Sequence, residues 1–222
     1  MQEKLVLFDF DGTLADSAPD LAACANRVRA AHQLEPLPYD ELWPFASHGA
    51  RGLLNAAIGI TPDHPDYDRY RSEFLKDYEA NMTQNTQLFL GVQELLQHLA
   101  DQKLKWGIVT NKTEYLTRPL MTHLGLDEHC VVMVGGDTTP HIKPHPAPLL
   151  HAAAEAGIAP EQCIYIGDDR RDIQAGQAAG MSTVIAAYGY CKLDPSLADW
   201  QADAIVHNAH ELIEVIQRWA QA

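Results

Sequence analysis

Strand-like and helix-like segments alternate along the chain from Gly91 onward, and this alternation limits the available folds more than any other feature. The strand-like segments are short and apolar, as expected of strands buried on both faces. The predicted strands are Lys105–Thr110, Val131–Val134, Cys163–Gly167 and Ser182–Ala186, and the predicted helices are Val92–Leu99, Glu114–Leu124, Ala147–Ala156, Asp172–Ala179 and Ala209–Trp219. Such alternation indicates an α/β fold with a doubly wound parallel sheet, in which right-handed crossovers cover both faces.

The segment from residue 16 to residue 87 does not follow this alternation. The apolar run Lys4–Leu7 predicts a first strand, but only helical patterns follow it, separated by glycine and proline. An all-helical block supplies no strand to the sheet, so we interpret it as an inserted helical cap. The sequence therefore predicts a core formed by residues 1–15 and 88–222 and an all-helical cap formed by residues 16–87.

Polar residues stand where several of the predicted strands end. In a parallel sheet of this kind, ligands bind at the carboxyl ends of the strands, near the point where the strand order reverses. The one additional candidate is a lysine in a loop, which prolines on both sides of it would stiffen. The candidate residues are Asp9 and Asp11 after the first strand, Thr110 and Asn111 after the second, Asp168 after a later one, and Lys143 in the loop.

This set of side chains suits phosphoryl transfer. One carboxylate can attack phosphorus, and a second can protonate the leaving oxygen and then deprotonate water. A hydroxyl and a lysine can hold the phosphoryl oxygens. Two carboxylates two residues apart repel each other unless a cation lies between them or one of them is protonated. Mg²⁺ usually takes one or two protein carboxylates, which fits Asp9 together with Asp168.

The charge of the chain restricts its partners. A net charge of −14 and a pI near 5.0 argue against nucleic acid or an anionic membrane surface as the main partner. An anionic substrate therefore needs local cations. The four cysteines are scattered without a C-x-x-C pair, which suits reduced thiols, and no export or membrane signal is visible. We expect a cytoplasmic protein that acts on a small molecule as a monomer or homodimer.

Four segments in order resemble the motifs of phosphatases of the haloacid dehalogenase superfamily. They are Asp9-Phe10-Asp11-Gly12-Thr13, Val109-Thr110-Asn111, Lys143 before Pro144, and Gly167-Asp168-Asp169-Arg170-Arg171-Asp172. The resemblance implies that Asp9 is the nucleophile, that Asp11 is the general acid/base and binds Mg²⁺ through its backbone carbonyl, and that Asp168 is a metal ligand. It also implies that Thr110 and Lys143 bind the phosphoryl group and that Asp172 supports the metal site without touching the metal.

Within the superfamily, the chain is most similar to phosphoglycolate phosphatases and to the N-acetylmuramic acid 6-phosphate phosphatases of peptidoglycan recycling. Tyr188-Gly189-Tyr190 and Gly49-Ala50-Arg51 are closer to the second group. Arg51 lies in the predicted cap, and its guanidinium suits the carboxylate that both substrates carry. The resemblance therefore favours a small carboxylate-bearing phosphate ester as substrate, with a slight preference for the muramate.

Two alternatives remain open from the sequence. A phosphosugar mutase of the same superfamily would share Asp9 and Asp11 and differ mainly in its cap. A signalling receiver domain, which is phosphorylated on an aspartate, also combines acidic residues with threonine and lysine on a doubly wound sheet. Its phosphorylated aspartate normally ends the third strand, however, and it has no helical insertion. Carbon–halogen chemistry is disfavoured because the dehalogenases of the superfamily lack the second aspartate.

Overall fold

The computed structural model of the protein describes residues 3–221. The strands, numbered along the chain, are β1 (Leu5–Phe8), β2 (Ala15–Asp16), β3 (Gln87–Leu88), β4 (Lys105–Val109), β5 (Cys130–Val134), β6 (Cys163–Gly167), β7 (Ser182–Ala186) and β8 (Ala204–Val206). The helices are α1 (Ala18–Ala31), α2 (Tyr39–Leu42), α3 (Gly49–Ile58), α4 (Tyr67–Asn81), α5 (Val92–Asp101), α6 (Glu114–His123), α7 (Ala147–Ala156), α8 (Arg170–Ala178) and α9 (Ala209–Gln221).

Six strands form one parallel sheet in the order β5-β4-β1-β6-β7-β8. The chain builds outward from β1 through β4 to β5, and then returns to the other side of β1 at β6. The strand order therefore reverses at β1, which leaves a crevice beyond its carboxyl end. The four residues of β1 are fully buried, as an apolar run in the centre of a covered sheet requires.

Alternate residues of β1 face opposite sides of the sheet. Leu5 and Leu7 belong to a buried cluster that also contains Tyr165 of β6 and apolar residues of α7 and α8. On β1 the neighbouring Phe8 makes an edge-on contact with Trp106 of β4, at 6.3 Å between ring centroids. Burial of each large apolar side chain stabilises the fold by about 1.5–3 kcal/mol. These clusters hold the strands that carry the site in a fixed register.

The chain divides into two compact units: one contains the residues up to Ala15 and from Leu88 onward, and the other contains Asp16–Gln87. The second unit is helical, and α1 packs against α3 and α4. Near the start of α1, the buried Asp20 carboxylate accepts hydrogen bonds from the backbone N–H groups of Asn85 and Thr86 and from the Thr86 hydroxyl. This carboxylate joins the beginning of the inserted segment to its end.

The structure confirms the predicted doubly wound α/β fold with a helical insertion. The predicted strands and helices are present, with small differences at their ends; α8, for instance, begins at Arg170 rather than Asp172 because Asp169 caps it. The short strand β8 and the two-residue strands β2 and β3 were not predicted. Within residues 3–221, none of the helices combines the length and the apolar composition that crossing a bilayer requires.

Candidate active site

The register of the central strands brings the candidate residues to one level. Phe8 is paired with Ile108 of β4 on one side and with Ile166 of β6 on the other. The next residue, Asp9, donates its backbone N–H to the carbonyl oxygen of Ile166 at 2.8 Å. Thr110 follows β4, and Asp168 follows β6. The sheet therefore delivers these residues to the crevice where the strand order reverses.

Lys143 is the central cation of this group, and its side chain is only 2% exposed. Its Nζ lies 2.9 Å from Asp9 Oδ1 and 2.7 Å from Asp172 Oδ1. The ammonium also donates hydrogen bonds to the Tyr165 hydroxyl at 2.7 Å and to the Val109 carbonyl at 3.1 Å. Burial opposes the charged form of Lys143, but the two carboxylates outweigh it and raise the pKa of the lysine. The lysine is therefore held as a buried cation.

The backbone of Lys143 is held by Asn111, which follows Thr110. The Asn111 side-chain amide donates to the Lys143 carbonyl oxygen at 3.0 Å, and its oxygen accepts the Lys143 N–H at 2.9 Å. This paired contact fixes the loop to the end of β4. The sequence predicts that Asn111 binds substrate, and the contact in the structure is with the lysine backbone. Asn111 therefore holds the backbone of Lys143 in place, and its contact with substrate stays a prediction.

Three buried carboxylates offer oxygen atoms within 4.8 Å of one another, those of Asp9, Asp168 and Asp172. Burial raises the pKa of Asp9 to about 7, against the opposing effect of Lys143. Burial also raises the pKa of Asp168 well above its usual range, and the negative charges of Asp9 and Asp172 add to this effect. A cation held by these oxygens would relieve the repulsion. Hard carboxylate oxygens in such a cluster fit Mg²⁺ or a similar divalent ion.

The carboxylate of Asp168 is oriented through both of its oxygen atoms. Oδ1 accepts a hydrogen bond from the Thr13 hydroxyl at 3.1 Å, and Oδ2 accepts one from the Tyr190 backbone N–H at 2.8 Å. Gly12 lies so close that a Cβ atom there would stand 2.1 Å from Asp168 Oδ2, and its φ of +86° also favours glycine. The turn after Asp11 and the loop after β7 therefore enclose this aspartate.

Asp172 is held at the start of α8. Its Oδ2 accepts the backbone N–H of Asp169, and the Asp169 side chain caps the first turn in return, so the two residues form a capping box. Burial opposes ionisation of Asp169, but hydrogen bonds from Arg171 outweigh it and lower the pKa of this carboxyl. The capping box uses Oδ2 of Asp172. The other oxygen, Oδ1, is directed at Lys143 and forms an ion pair with its ammonium.

Asp11 and Thr110 complete the group. The Asp11 carboxylate lies 2.9 Å from Nζ of Lys112, and both side chains are largely buried. The buried Thr110 is fixed by a hydrogen bond from its backbone N–H to Val134 of β5, and its hydroxyl oxygen accepts the N–H of Lys112 at 3.2 Å. The predicted residues of the core are therefore gathered at the ends of β1, β4 and β6.

Arg51 is the one predicted site residue that belongs to the helical unit. It lies in the first turn of α3, and its side chain is exposed. Gly49 precedes it with a φ of +54°, a conformation that glycine adopts readily, and leads from a short 3₁₀ helix into α3. The interpretation of Arg51 as a substrate ligand stays a prediction.

Sequence reasoning missed two contributors. Tyr165 lies inside the site, where its hydroxyl donates to the Val109 carbonyl at 2.7 Å and accepts from Lys143. A tyrosine in a strand buried on both faces was a usable signal, because a buried hydroxyl needs a partner. Lys112 follows Asn111 directly in the sequence, but no pattern indicated that its ammonium would contact Asp11.

A doubly wound sheet with a helical insertion after its central strand, and with aspartates and a lysine gathered at the strand ends, is typical of one class of hydrolases. Residues 6–186 match the family model described as haloacid dehalogenase-like hydrolase, and the chain belongs to this family. The resemblance inferred from the four sequence motifs is thereby confirmed.

The sequences of several phosphatases are similar to this chain over nearly its whole length. A phosphoglycolate phosphatase of Xanthomonas campestris is 44% identical over 211 residues, covering 95% of each chain. An N-acetylmuramic acid 6-phosphate phosphatase of Pseudomonas aeruginosa is 41% identical over 218 residues, covering 98% of this chain and 96% of its own. Among solved structures, a predicted phosphoglycolate phosphatase from Haemophilus somnus has a TM-score of 0.85 at 29% identity, with 98% and 99% coverage. These relatives are phosphatases, which disfavours the mutase and receiver alternatives.

Proposed function

We propose that the chain is a Mg²⁺-dependent phosphomonoester hydrolase that forms an aspartyl-phosphate on Asp9. Its substrate is a small phosphate ester that also carries a carboxylate, either N-acetylmuramic acid 6-phosphate or 2-phosphoglycolate. The observation that carries the proposal is the buried group of Asp9, Lys143 and Asp168 at the point where the strand order reverses. Membership of the haloacid dehalogenase-like hydrolases and the names of the relatives support it.

In the first step, a carboxylate oxygen of Asp9 attacks phosphorus and the bond from phosphorus to the ester oxygen breaks. Asp11 gives a proton to the departing alkoxide, which leaves as an alcohol. Lys143 holds a phosphoryl oxygen as a fixed cation, and the Thr110 hydroxyl donates a hydrogen bond to another. Asp9 is suited to the attack because Phe10 N–H and Lys143 both bind its Oδ1 and so fix its direction.

In the second step, Asp11 takes a proton from a water molecule, and the water oxygen attacks the phosphorus of the aspartyl-phosphate. The bond between phosphorus and the Asp9 oxygen breaks, which releases inorganic phosphate and restores the carboxylate. Asp11 returns to its protonated form and is ready for the next ester. The same residue therefore acts first as acid and then as base, as the reversal of the proton transfer requires.

The balance of charge supports a resident metal ion. The four carboxylates of Asp9, Asp11, Asp168 and Asp172 meet two ammonium groups, those of Lys112 and Lys143. A phosphate dianion would be repelled by the remaining negative charge. Asp9 and Asp168 would hold Mg²⁺ through their side chains, and Asp11 through its backbone carbonyl. When bound, Mg²⁺ would neutralise negative charge on the phosphoryl oxygens.

The helical unit is the proposed cap, and Arg51 is its proposed contact with the carboxylate of the substrate. Both proposed substrates carry a carboxylate beside the phosphate ester, and a guanidinium can bind a carboxylate through two parallel hydrogen bonds. The chain has a net charge of −14, so a ligand with two acidic groups needs a local cation for each of them. Lys143 serves the phosphoryl group, and Arg51 would serve the carboxylate.

The mechanism is tested with Asp9→Asn, since an amide does not attack phosphorus. We expect no turnover of any phosphate monoester and no phosphorylated protein by mass spectrometry after quenching in acid. The exposed Asp127→Asn is the matched control and should hydrolyse the ester like the wild type. EDTA should remove the activity, and added Mg²⁺ should restore it. Wild-type turnover by Asp9→Asn, or full activity in EDTA, would refute the proposed mechanism.

The substrate is tested by measuring kcat/KM for 2-phosphoglycolate and N-acetylmuramic acid 6-phosphate side by side. Ethyl phosphate, which lacks the carboxylate of 2-phosphoglycolate, serves as the reference ester. Arg51→Met should raise the KM for the preferred carboxylate-bearing ester by at least about tenfold. The KM for ethyl phosphate should stay unchanged. Arg69→Met removes an exposed guanidinium from α4 and is the control. Equal effects of Arg51→Met on both esters would contradict the assignment of Arg51.

A further inference from the structure

The loop that follows β7 contacts the site at three points, although none of its side chains belongs to the proposed chemistry. Tyr190 donates its backbone N–H to Asp168 Oδ2 at 2.8 Å. Tyr188 donates its hydroxyl to the Thr13 carbonyl at 2.9 Å. Between them, Gly189 lies directly against both Gly12 and Asp168. The segment Tyr188-Gly189-Tyr190 therefore contacts the turn after Asp11 and the proposed metal ligand at the same time.

We propose that Tyr188-Gly189-Tyr190 is a positioning loop that sets the direction of the Asp168 carboxylate and so tunes the affinity of the site for its divalent cation. This inference rests on the proposed metal site and adds to it a segment that lies outside the four motifs. Tyr188, Gly189 and Tyr190 are positioning residues, because they act through Asp168 and the Gly12–Thr13 turn.

The need for glycine at position 189 comes from close packing. A Cβ atom at this position would lie 2.0 Å from the Gly12 carbonyl oxygen and 2.6 Å from Asp168 Cβ. Real Cβ atoms do not approach a backbone oxygen so closely, so either the loop or the turn would have to move. Its φ lies outside the positive range, so backbone conformation is not the reason for a glycine here. The absence of a side chain lets the loop approach the metal ligand.

The loop itself is anchored by backbone hydrogen bonds and by aromatic contacts. Before it, Ala187 donates its N–H to Val206 of β8 at 2.8 Å, and within it Gly189 donates to Ala186 at 3.0 Å. The Tyr188 and Tyr190 rings pack against the ring of Phe89, with centroids 5.4 and 6.5 Å away. Such aromatic contacts stabilise a loop beyond the area that they bury. The loop can therefore act as a rigid support.

Asp168 requires such a support because its surroundings disfavour a fixed charge. It is buried, and the carboxylates of Asp9 and Asp172 lie within 4.8 Å of it. Repulsion would turn an unrestrained carboxylate away from its neighbours. The Thr13 hydroxyl and the Tyr190 N–H each bind one of its oxygens and prevent this rotation. Outer partners of this kind orient metal ligands and influence affinity strongly.

Isothermal titration with MgCl₂ tests the proposal on the full chain, at a temperature where circular dichroism shows every variant to be folded. Gly189→Ala should raise the Kd for Mg²⁺ about 10- to 100-fold. Tyr188→Phe keeps the ring and loses the hydrogen bond to Thr13, and it should raise the Kd about 3-fold or more. Both variants should also lower kcat/KM at limiting Mg²⁺ and recover most of it at saturating Mg²⁺.

Two control variants separate positioning from general destabilisation. Gly180→Ala adds a methyl group where no atom lies nearby, at a φ of +75°, so it should lower stability and leave the Kd for Mg²⁺ unchanged. Tyr67→Phe removes the hydroxyl of a partly exposed tyrosine at the start of α4, and it should change neither the stability nor the Kd for Mg²⁺. A wild-type Kd in Tyr188→Phe and in any folded Gly189→Ala would overturn the proposal. Absence of Mg²⁺ binding by the wild type would overturn the proposed metal site, and this inference with it.

Discussion

Replacement of Lys143 by methionine should destabilise the protein strongly, because it leaves two buried carboxylates without their cation. Nζ of Lys143 lies 2.9 Å from Asp9 Oδ1 and 2.7 Å from Asp172 Oδ1, and the lysine side chain is 2% exposed. Removing one partner of a buried ion pair typically costs about 3–5 kcal/mol. For a chain of this length, such a loss lowers the melting temperature by about 6–20 °C.

The same substitution at Lys105 provides the matched control. Lys105 forms a pair with Glu3 at 2.6 Å, but these side chains are 40% and 68% exposed. A solvated pair of this kind contributes about 0–1 kcal/mol. The free energies of unfolding of wild type, Lys143→Met and Lys105→Met should be compared by urea denaturation in EDTA at pH 8. At pH 6 the loss in Lys143→Met should be smaller, since burial raises the pKa of Asp9 to about 7 and this carboxylate can then take up a proton.

A second substitution shows whether the loss of stability in Lys143→Met arises from the unpaired carboxylates. In Lys143→Met, the further change Asp172→Asn removes one unpaired charge and keeps an oxygen for the Asp169 N–H. We expect this double variant to recover at least about 1 kcal/mol of the lost stability. Equal stabilities of Lys143→Met and Lys105→Met, or a further loss in the double variant, would refute the account of Lys143 as the cation that holds the site together.

Three other measurements test separate parts of the site. Asp11→Asn should reduce turnover of an alkyl phosphate and largely retain Mg²⁺ binding by titration calorimetry, since its proposed metal contact is a backbone carbonyl; an equal loss of affinity would count against this assignment. Tyr165→Phe removes the hydroxyl between Lys143 and Val109 and should lower the free energy of unfolding by about 1–3 kcal/mol, whereas Tyr67→Phe, at a partly exposed position, should not. The pKa of Asp9 is raised from 3.8 to about 7, so its contribution to stability is fully present below pH 3.8 and is lost as pH rises through 7. In EDTA, the wild type should therefore lose stability relative to Asp9→Asn between pH 5 and pH 8, by about 2–3 kcal/mol, and a constant difference would disprove the raised pKa.

Much of the fold could be predicted because the strands of the core are buried on both faces. A strand such as Cys163–Gly167 has to be a short apolar run, and glycines such as Gly157 and Gly180 end the preceding helices at visible positions. The short strand Ala204–Val206 escaped prediction because three residues carry too little pattern. Its place at the sheet edge depends on pairing with Ser182–Ala186, which is a tertiary contact.

The candidate site was predictable to the extent that its residues follow strands. Asp9, Thr110 and Asp168 stand directly after apolar runs, and a parallel sheet necessarily gathers the ends of adjacent strands. Asn111 illustrates the limit of this reasoning. Its predicted contact with substrate stays a prediction, and the sequence did not indicate that the fold brings Lys143 to it from a distant loop, where its oxygen and nitrogen bind the lysine backbone.

The sequence by itself determined the class of fold, the family and the identity of the acidic and basic groups, because periodicity and strand-end residues are local properties of the chain. Only the tertiary structure decided how those groups are paired. Lys112 contacts Asp11, and Tyr165 supports Lys143 across 22 residues of sequence. The loop around Gly189 reaches Asp168 because a glycine lets two backbones approach closely. Such contacts depend on the packing of distant segments into one crevice, which no local pattern in the chain encodes.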